Sequence, residues 1–104
     1  MKVEEARALL DEFRVLIDDV DRRIVALLNE RTKVVEEIGR VKRQAQLPIY
    51  EPKREDQVFA NITESNRGPL TPGAVRRIFE RIIDEMRTIQ KLRIIESTDG
   101  DRKC

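Results

Sequence analysis

Residues 10–42 read LDEFRVLIDDVDRRIVALLNERTKVVEEIGRVK, and the spacing of the apolar residues in this stretch decides the fold. Leu10, Phe13, Ile17, Val20, Ile24, Leu27, Arg31, Val34, Ile38 and Val41 follow alternating steps of three and four through more than four heptads, and nine of these ten positions are apolar. That is the seam of an amphipathic helix, with a permanently charged guanidinium set into it. No proline interrupts the run before Pro48, and its only glycine is Gly39, so the pattern predicts one helix from about Val3 to about Gln46. At 1.5 Å per residue such a helix is about 60 Å long. A compact chain of this size has a radius of gyration of about 13 Å, so the helix must reach well beyond its own globule and needs a partner to cover its seam. A second copy in an isologous homodimer is the commonest cover.

Working outward, Leu47-Pro48-Ile49-Tyr50 breaks the helix, because Pro48 disfavours helical geometry in the residue before it. Glu51-Pro52 opens a second helix, with proline at the first helical position and acids at the positive end of the dipole, running to about Ser65. Asn66-Arg67-Gly68-Pro69-Leu70 reads as a loop, and Thr71-Pro72 supplies a cap and a first-turn proline for a third helix. That helix carries Val75, Ile78, Phe79, Ile82, Ile83, Met86 and Ile89 on one face. Residues 96–104 have no apolar period and are expected to form a frayed, disordered tail beyond a single domain at 1–95. The expected fold is all-α: three helices per chain, the first very long, in a helical homodimer.

Composition narrows the chemistry. The chain has 104 residues, 39% of them charged, with Lys+Arg 21 against Asp+Glu 20, so no global field favours nucleic acid or an anionic membrane. Aromatic residues make up 4%, too few for a base-stacking surface. With no histidine and a single cysteine, Cys104, there is no disulfide framework, no Cys/His zinc site and no imidazole base. The N-terminal MKVEEARALLDEF has acids too early for a signal peptide and no apolar run long enough for an anchor, so a cytoplasmic protein is expected.

The informative residues break the pattern. Arg31 lies on the seam, and Lys42 lies eleven residues on, about three turns, which brings the two cations within about 20° of one face. Glu55 precedes Val58, Phe59 and Ile62 by three, four and seven residues, and Gln90 follows Met86 and Ile83 by four and seven. Each helix thus turns a polar group inward. Singly, each has a plain structural reading: Arg31 as an ion-paired registry charge, Lys42 as a snorkelling dipole partner, Glu55 as a first-turn acid, Gln90 as a tolerated residue near a helix end. Jointly, buried charges are costly unless paired, and a pocket lined by Arg, Lys, Glu and Gln suits a small anionic, hydroxylated ligand. Arg14 lies seventeen residues before Arg31, about 25 Å and about 100° away on one helix, so the two cannot share a small ligand within one chain. An antiparallel partner brings Arg14 of one subunit near Arg31 of the other.

Arg14, the run Ala26-Leu27-Leu28-Asn29-Glu30-Arg31, the run Val35-Glu36-Glu37-Ile38-Gly39-Arg40-Val41-Lys42, the entry Tyr50-Glu51-Pro52-Lys53-Arg54-Glu55, and Gln90 together resemble the all-helical (type II) chorismate mutases. The resemblance spans roughly residues 5–95 and implies an isomerase of aromatic amino acid biosynthesis that works without cofactor or metal as an intertwined dimer of three-helix chains. It implies that Arg31 and the partner subunit's Arg14 bind the two carboxylates of chorismate, and that Lys42 contacts a carboxylate and the ether oxygen. Gln90 matches a second group facing the ether oxygen, Glu55 the acceptor of the ring hydroxyl, Glu51 a residue lining that side where the family often has Asp, and Arg54 a supporting cation. Met86 departs from the pattern, standing where some members place a small hydroxylic residue that touches a carboxylate. Two other readings keep the fold: an isochorismate-pyruvate lyase of the same family, and a non-catalytic dimerisation module with Arg31 as its registry charge. Neither nucleic acid nor membrane is an expected partner, and docking to another pathway enzyme is left open.

Overall fold

The structure, a computed structural model, describes the backbone of residues 1–103 and the side chains of residues 1–93. It contains three helices and, among the described residues, no strand: α1 Val3–Gln44, α2 Pro52–Ser65 and α3 Pro72–Lys103. The tail expected at 96–104 lies outside the fully described residues. By packing, the chain divides into two compact units, Met1–Val34 and Val35–Cys104.

The first unit is helical from Val3, with Glu4 and Glu5 in the first turn, where acids favour the positive end of the dipole. Its seam residues are open: Leu10, Phe13, Ile17, Val20, Ile24, Leu27 and Val34 are between 42% and 63% exposed. The polar flanks carry local ion pairs, Arg14 to Asp11 at 3.4 Å and Arg23 to Asp19 at 3.3 Å, each within one turn and well exposed.

The second unit begins within α1 and contains the core. α1 stops at Gln44, two residues short of the expected end, and the way it stops matters downstream. Leu47 N–H donates to the Lys42 carbonyl at 2.7 Å and Gln46 N–H to the Arg43 carbonyl at 3.2 Å, with Gln46 at a φ of 58°. This is a Schellman ending, in which one left-handed residue reverses the chain and satisfies the last carbonyls; here glutamine takes the place usually given to glycine. The reversal sends Leu47–Glu51 back past the end of α1.

α2 starts where Pro52 sets its first turn, and Glu51, at the N-cap, makes no side-chain capping bond. At its far end Asn66 holds the loop together, donating from Nδ2 to the Leu70 carbonyl at 2.8 Å and accepting the Gly68 N–H at 2.9 Å, while Gly68 takes a φ of 76°. α3 is capped by Thr71, whose Oγ1 accepts the Ala74 N–H at 3.1 Å. α2 and α3 pack on each other. Val75, Ile83 and Met86 form the buried apolar core, Val58, Phe59 and Ile62 are half-buried, and Arg76 stacks over the Phe59 ring at 4.1 Å. Ile78, expected on the same face, is exposed. It sits about 80° round the helix from Met86 and about 140° from Ile83, at the edge of a stripe centred on the other side of Val75.

Candidate functional site

Gly39 is the buried residue of α1 and Gln90, among the described residues, the buried polar residue of the core, and the two meet. A Cβ added at Gly39 would lie 3.2 Å from Gln90 Cγ, closer than ordinary packing allows. The bare helix backbone therefore lets α3 bring Gln90 against α1, where its Nε2 donates to the Val35 carbonyl at 3.1 Å. A mid-helix glycine costs roughly 1 kcal/mol relative to alanine, and this close approach is the packing reason for it. One amide N–H is thus committed to the helix and one remains.

Val35, Gly39 and Lys42 follow one another at steps of four and three, so Lys42 stands one turn beyond the residue that touches Gln90, on the same face of α1. Its ammonium is tethered by the reversed segment: Nζ donates to the Ile49 carbonyl at 3.0 Å and pairs with Glu51 Oε1 at 2.9 Å. The Lys42 side chain is only 13% exposed. An ammonium has three donors, so these two contacts fix the group and leave one N–H for a ligand.

Glu55 lies four residues beyond Glu51, one turn into α2. Its Oε1 accepts from Arg87 Nη2 of α3 at 3.1 Å, with both side chains about three-quarters covered. Arg87 also pairs with Asp84 at 3.3 Å and places its guanidinium 5.0 Å from the centre of the Tyr50 ring. Three residues further along α3 comes Gln90, which closes a circuit: Val35 to Lys42 along α1, Lys42 to Glu51, Glu51 to Glu55 along α2, Glu55 to Arg87, Arg87 to Gln90 along α3, and Gln90 back to Val35. Each acid on this circuit faces a cation, so a negatively charged ligand meets compensated carboxylates rather than bare ones.

Of the residues anticipated from sequence, the structure brings Lys42, Glu51, Glu55 and Gln90 onto this circuit, with Met86 buried in the core one turn before Gln90. Arg54 stays exposed, donating to Gln57 at 3.3 Å. Arg14 and Arg31 belong to the first unit, Arg14 exposed and Arg31 half-buried. Sequence reasoning missed Arg87 and gave Gly39 no role. Gly39 carried a usable signal, an unexplained glycine in mid-helix; Arg87 carried a weaker one, a cation flanking the Ile83–Met86 stripe. An open groove of about 460 Å³ between α2 and α3, lined by Asp56, Phe59, Ala60, Thr63, Glu64 and Arg76, holds none of the anticipated residues. No helix among the described residues is long and apolar enough to cross a membrane.

Comparison with known proteins gives a consistent result. A family model described as chorismate mutase type II matches residues 13–91, a span that contains every anticipated site residue. A bifunctional chorismate mutase/prephenate dehydratase of Aquifex aeolicus is 37% identical over 86 residues, covering 79% of this chain and 24% of that protein. The chain thus spans about a quarter of the length of such bifunctional relatives. Among solved structures, a chorismate mutase (form II) of Thermus thermophilus superposes with a TM-score of 0.77 at 35% identity, covering 79% of this chain and 93% of that one. A chorismate mutase of Helicobacter pylori in complex with prephenate gives a TM-score of 0.80 at 25% identity, covering 86% and 97%.

Proposed function

This chain belongs to the chorismate mutase type II family, and from that premise we propose that it converts chorismate to prephenate by an intramolecular 3,3-sigmatropic rearrangement, as an isomerase serving aromatic amino acid synthesis. The observation that carries the reading is the pair of nearly buried donors, Lys42 of α1 and Gln90 of α3, each fixed by protein contacts that leave it an N–H to spare, with Gln90 laid against the α1 face that carries Lys42.

The reaction suits that equipment. One C–O bond breaks and one C–C bond forms within a single molecule, so no nucleophile, metal or net proton transfer is needed, and a chain without histidine is no worse for it. Holding the enolpyruvyl group over the ring in a chair-like arrangement removes much of the entropic barrier. As the C–O bond lengthens ahead of C–C closure, negative charge gathers on the ether oxygen. Lys42 and Gln90 stabilise that charge where little water competes, and because both are already held in place, little reorganisation is needed during the reaction. Glu55 accepts the ring hydroxyl, Glu51 lines the same side while holding Lys42, and Arg54 and Met86 complete the surroundings. Arg31 and the partner subunit's Arg14 take the two carboxylates.

The last assignment requires a homodimer. Its support is the row of exposed apolar side chains along α1, from Leu10 to Val41, which water leaves unfavourably solvated and a second copy of the same helix would cover. Association with another enzyme of the pathway also fits, since the Aquifex aeolicus relative is named for both chorismate mutase and prephenate dehydratase.

The test is loss of chorismate absorbance on adding purified protein, with the product identified. Prephenate appears, and Arg31→Ala and Lys42→Ala each lower turnover by roughly 100-fold or more. Formation of pyruvate and salicylate from isochorismate instead would move the chain to the lyase reaction, and equal rates for all three proteins would remove the site.

A further inference from the structure

The circuit around Gln90 contains one cation that no step above uses. Arg87 lies on α3 between Met86 and Gln90 and spans to α2, where its Nη2 meets Glu55 Oε1 at 3.1 Å. Its pose is held from several sides: Asp84 at 3.3 Å one turn earlier, the Tyr50 ring 5.0 Å beneath the guanidinium, and Glu55 opposite. The same pose leaves its Nε buried without a hydrogen-bond partner among the described residues. Contacts from three segments, Glu55 on α2, Asp84 on α3 and Tyr50 before α2, hold the guanidinium where it meets Glu55. The fixed end is the one that touches Glu55.

We propose that Arg87 is a positioning residue that sets Glu55 to recognise the hydroxyl of the ligand, and so governs discrimination between hydroxylated and deoxy ring substrates. This rests on the chorismate reading above. A carboxylate has several acceptor sites, so the bond to Arg87 at Oε1 leaves Glu55 able to accept a hydroxyl proton donor as well. Arg87 does two things for that bond. It fixes the rotamer of Glu55 through a contact between helices, and it compensates the charge of a part-buried acid that must stand beside a dianionic ligand. Without it, Glu55 is free to turn toward solvent and repels the ligand it should bind. Arg87 touches Glu55 and not the reacting atoms, so its removal weakens recognition of the hydroxyl rather than stabilisation of the breaking C–O bond.

The experiment compares kcat/KM for chorismate and for its analogue lacking the ring hydroxyl, in wild type, Arg87→Met and Arg87→Lys. Wild type favours the hydroxylated compound by at least about tenfold, the range of a hydrogen bond to a charged group. Arg87→Met brings that ratio toward one, chiefly through a higher KM for chorismate, and Arg87→Lys restores part of it. Equal fractional losses on both compounds would mark Arg87 as merely structural and overturn the proposal. Wild-type turnover without discrimination would also overturn it, by removing the hydroxyl contact while leaving the mutase reading standing. No turnover of either compound by wild type would instead sink the mutase reading, and this assignment with it. Should Arg87→Met fail to fold, as judged by circular dichroism, the Arg87→Lys ratio decides: a ratio below wild type supports the proposal, and an unchanged ratio contradicts it.

Discussion

Replacing Gly39 by alanine should separate catalysis from stability at a single methyl group. In an exposed helix interior the change favours folding by about 1 kcal/mol, because glycine surrenders more backbone freedom than alanine. Here the new Cβ would stand 3.2 Å from Gln90 Cγ, 3.6 Å from Cδ and 3.7 Å from Nε2, so Gln90 must retreat by a few tenths of an ångström. Pushing its side chain off a rotamer minimum costs about 0.5–1.5 kcal/mol, which nearly cancels the helix gain. The thermal midpoint, read by far-ultraviolet circular dichroism, should therefore stay within a few degrees of wild type. Turnover should not. Misplacing a catalytic group by 1 Å can cost about 100-fold, and scaling that to a shift of a few tenths gives a loss of about four- to tenfold in kcat. Gly39→Val, with two more atoms directed at the amide, should approach the roughly 100-fold loss of a missing donor, with an overpacking cost of about 1–3 kcal/mol. The assay is initial-rate loss of chorismate absorbance over a range of substrate. An alanine variant with wild-type kcat would show that the Gly39–Gln90 contact does not place the amide for catalysis, as would a fall in rate that merely tracks a fall in thermal midpoint.

Two further substitutions probe the charges. Arg31→Leu, which completes the apolar series on α1, should leave the dimer intact or tighter by analytical ultracentrifugation while turnover falls by roughly 100-fold or more; a weakened dimer would recast Arg31 as an interface charge. Gln90→Glu should be active only while the introduced carboxyl is protonated, since only that form can donate either to the Val35 carbonyl or to the ether oxygen. Its rate should therefore decline as pH rises, and a rate flat from acid to alkaline pH would count against the contact assigned to Gln90.

Much of this was legible in the sequence because it depends on local periodicity. The three-and-four series from Leu10 to Val41 specifies a helix whatever it packs against, and Pro52, Thr71 and Pro72 mark the other two starts with turn chemistry that needs no tertiary information. Lys42, Glu55 and Gln90 stood out for a related reason, as polar groups on faces that should be apolar. The end of α1 was misjudged by two residues because a Schellman turn usually announces itself by glycine, and here Gln46 takes the left-handed position. Arg87 was hidden by distance along the chain: it sits on the flank of its stripe, and its meaning comes from Glu55, thirty-two residues earlier. Gly39 likewise acquires its role only when α3 lays Gln90 against it. Ile78 errs the other way, an apolar residue counted into a face that the actual packing leaves on the solvent side.

If Arg31 of one subunit and Arg14 of the other serve the same substrate molecule, subunit mixing will reveal it. Arg14→Ala and Arg31→Ala proteins, each inactive alone, are unfolded together in equal amounts and refolded. Half of the resulting dimers are mixed, and each mixed dimer holds one site with both arginines intact and one with neither, so activity should return to about one quarter of the wild-type value. A mixture as inactive as its two components, with mixed dimers demonstrated by mass spectrometry, would mean that Arg14 and Arg31 do not meet across the interface.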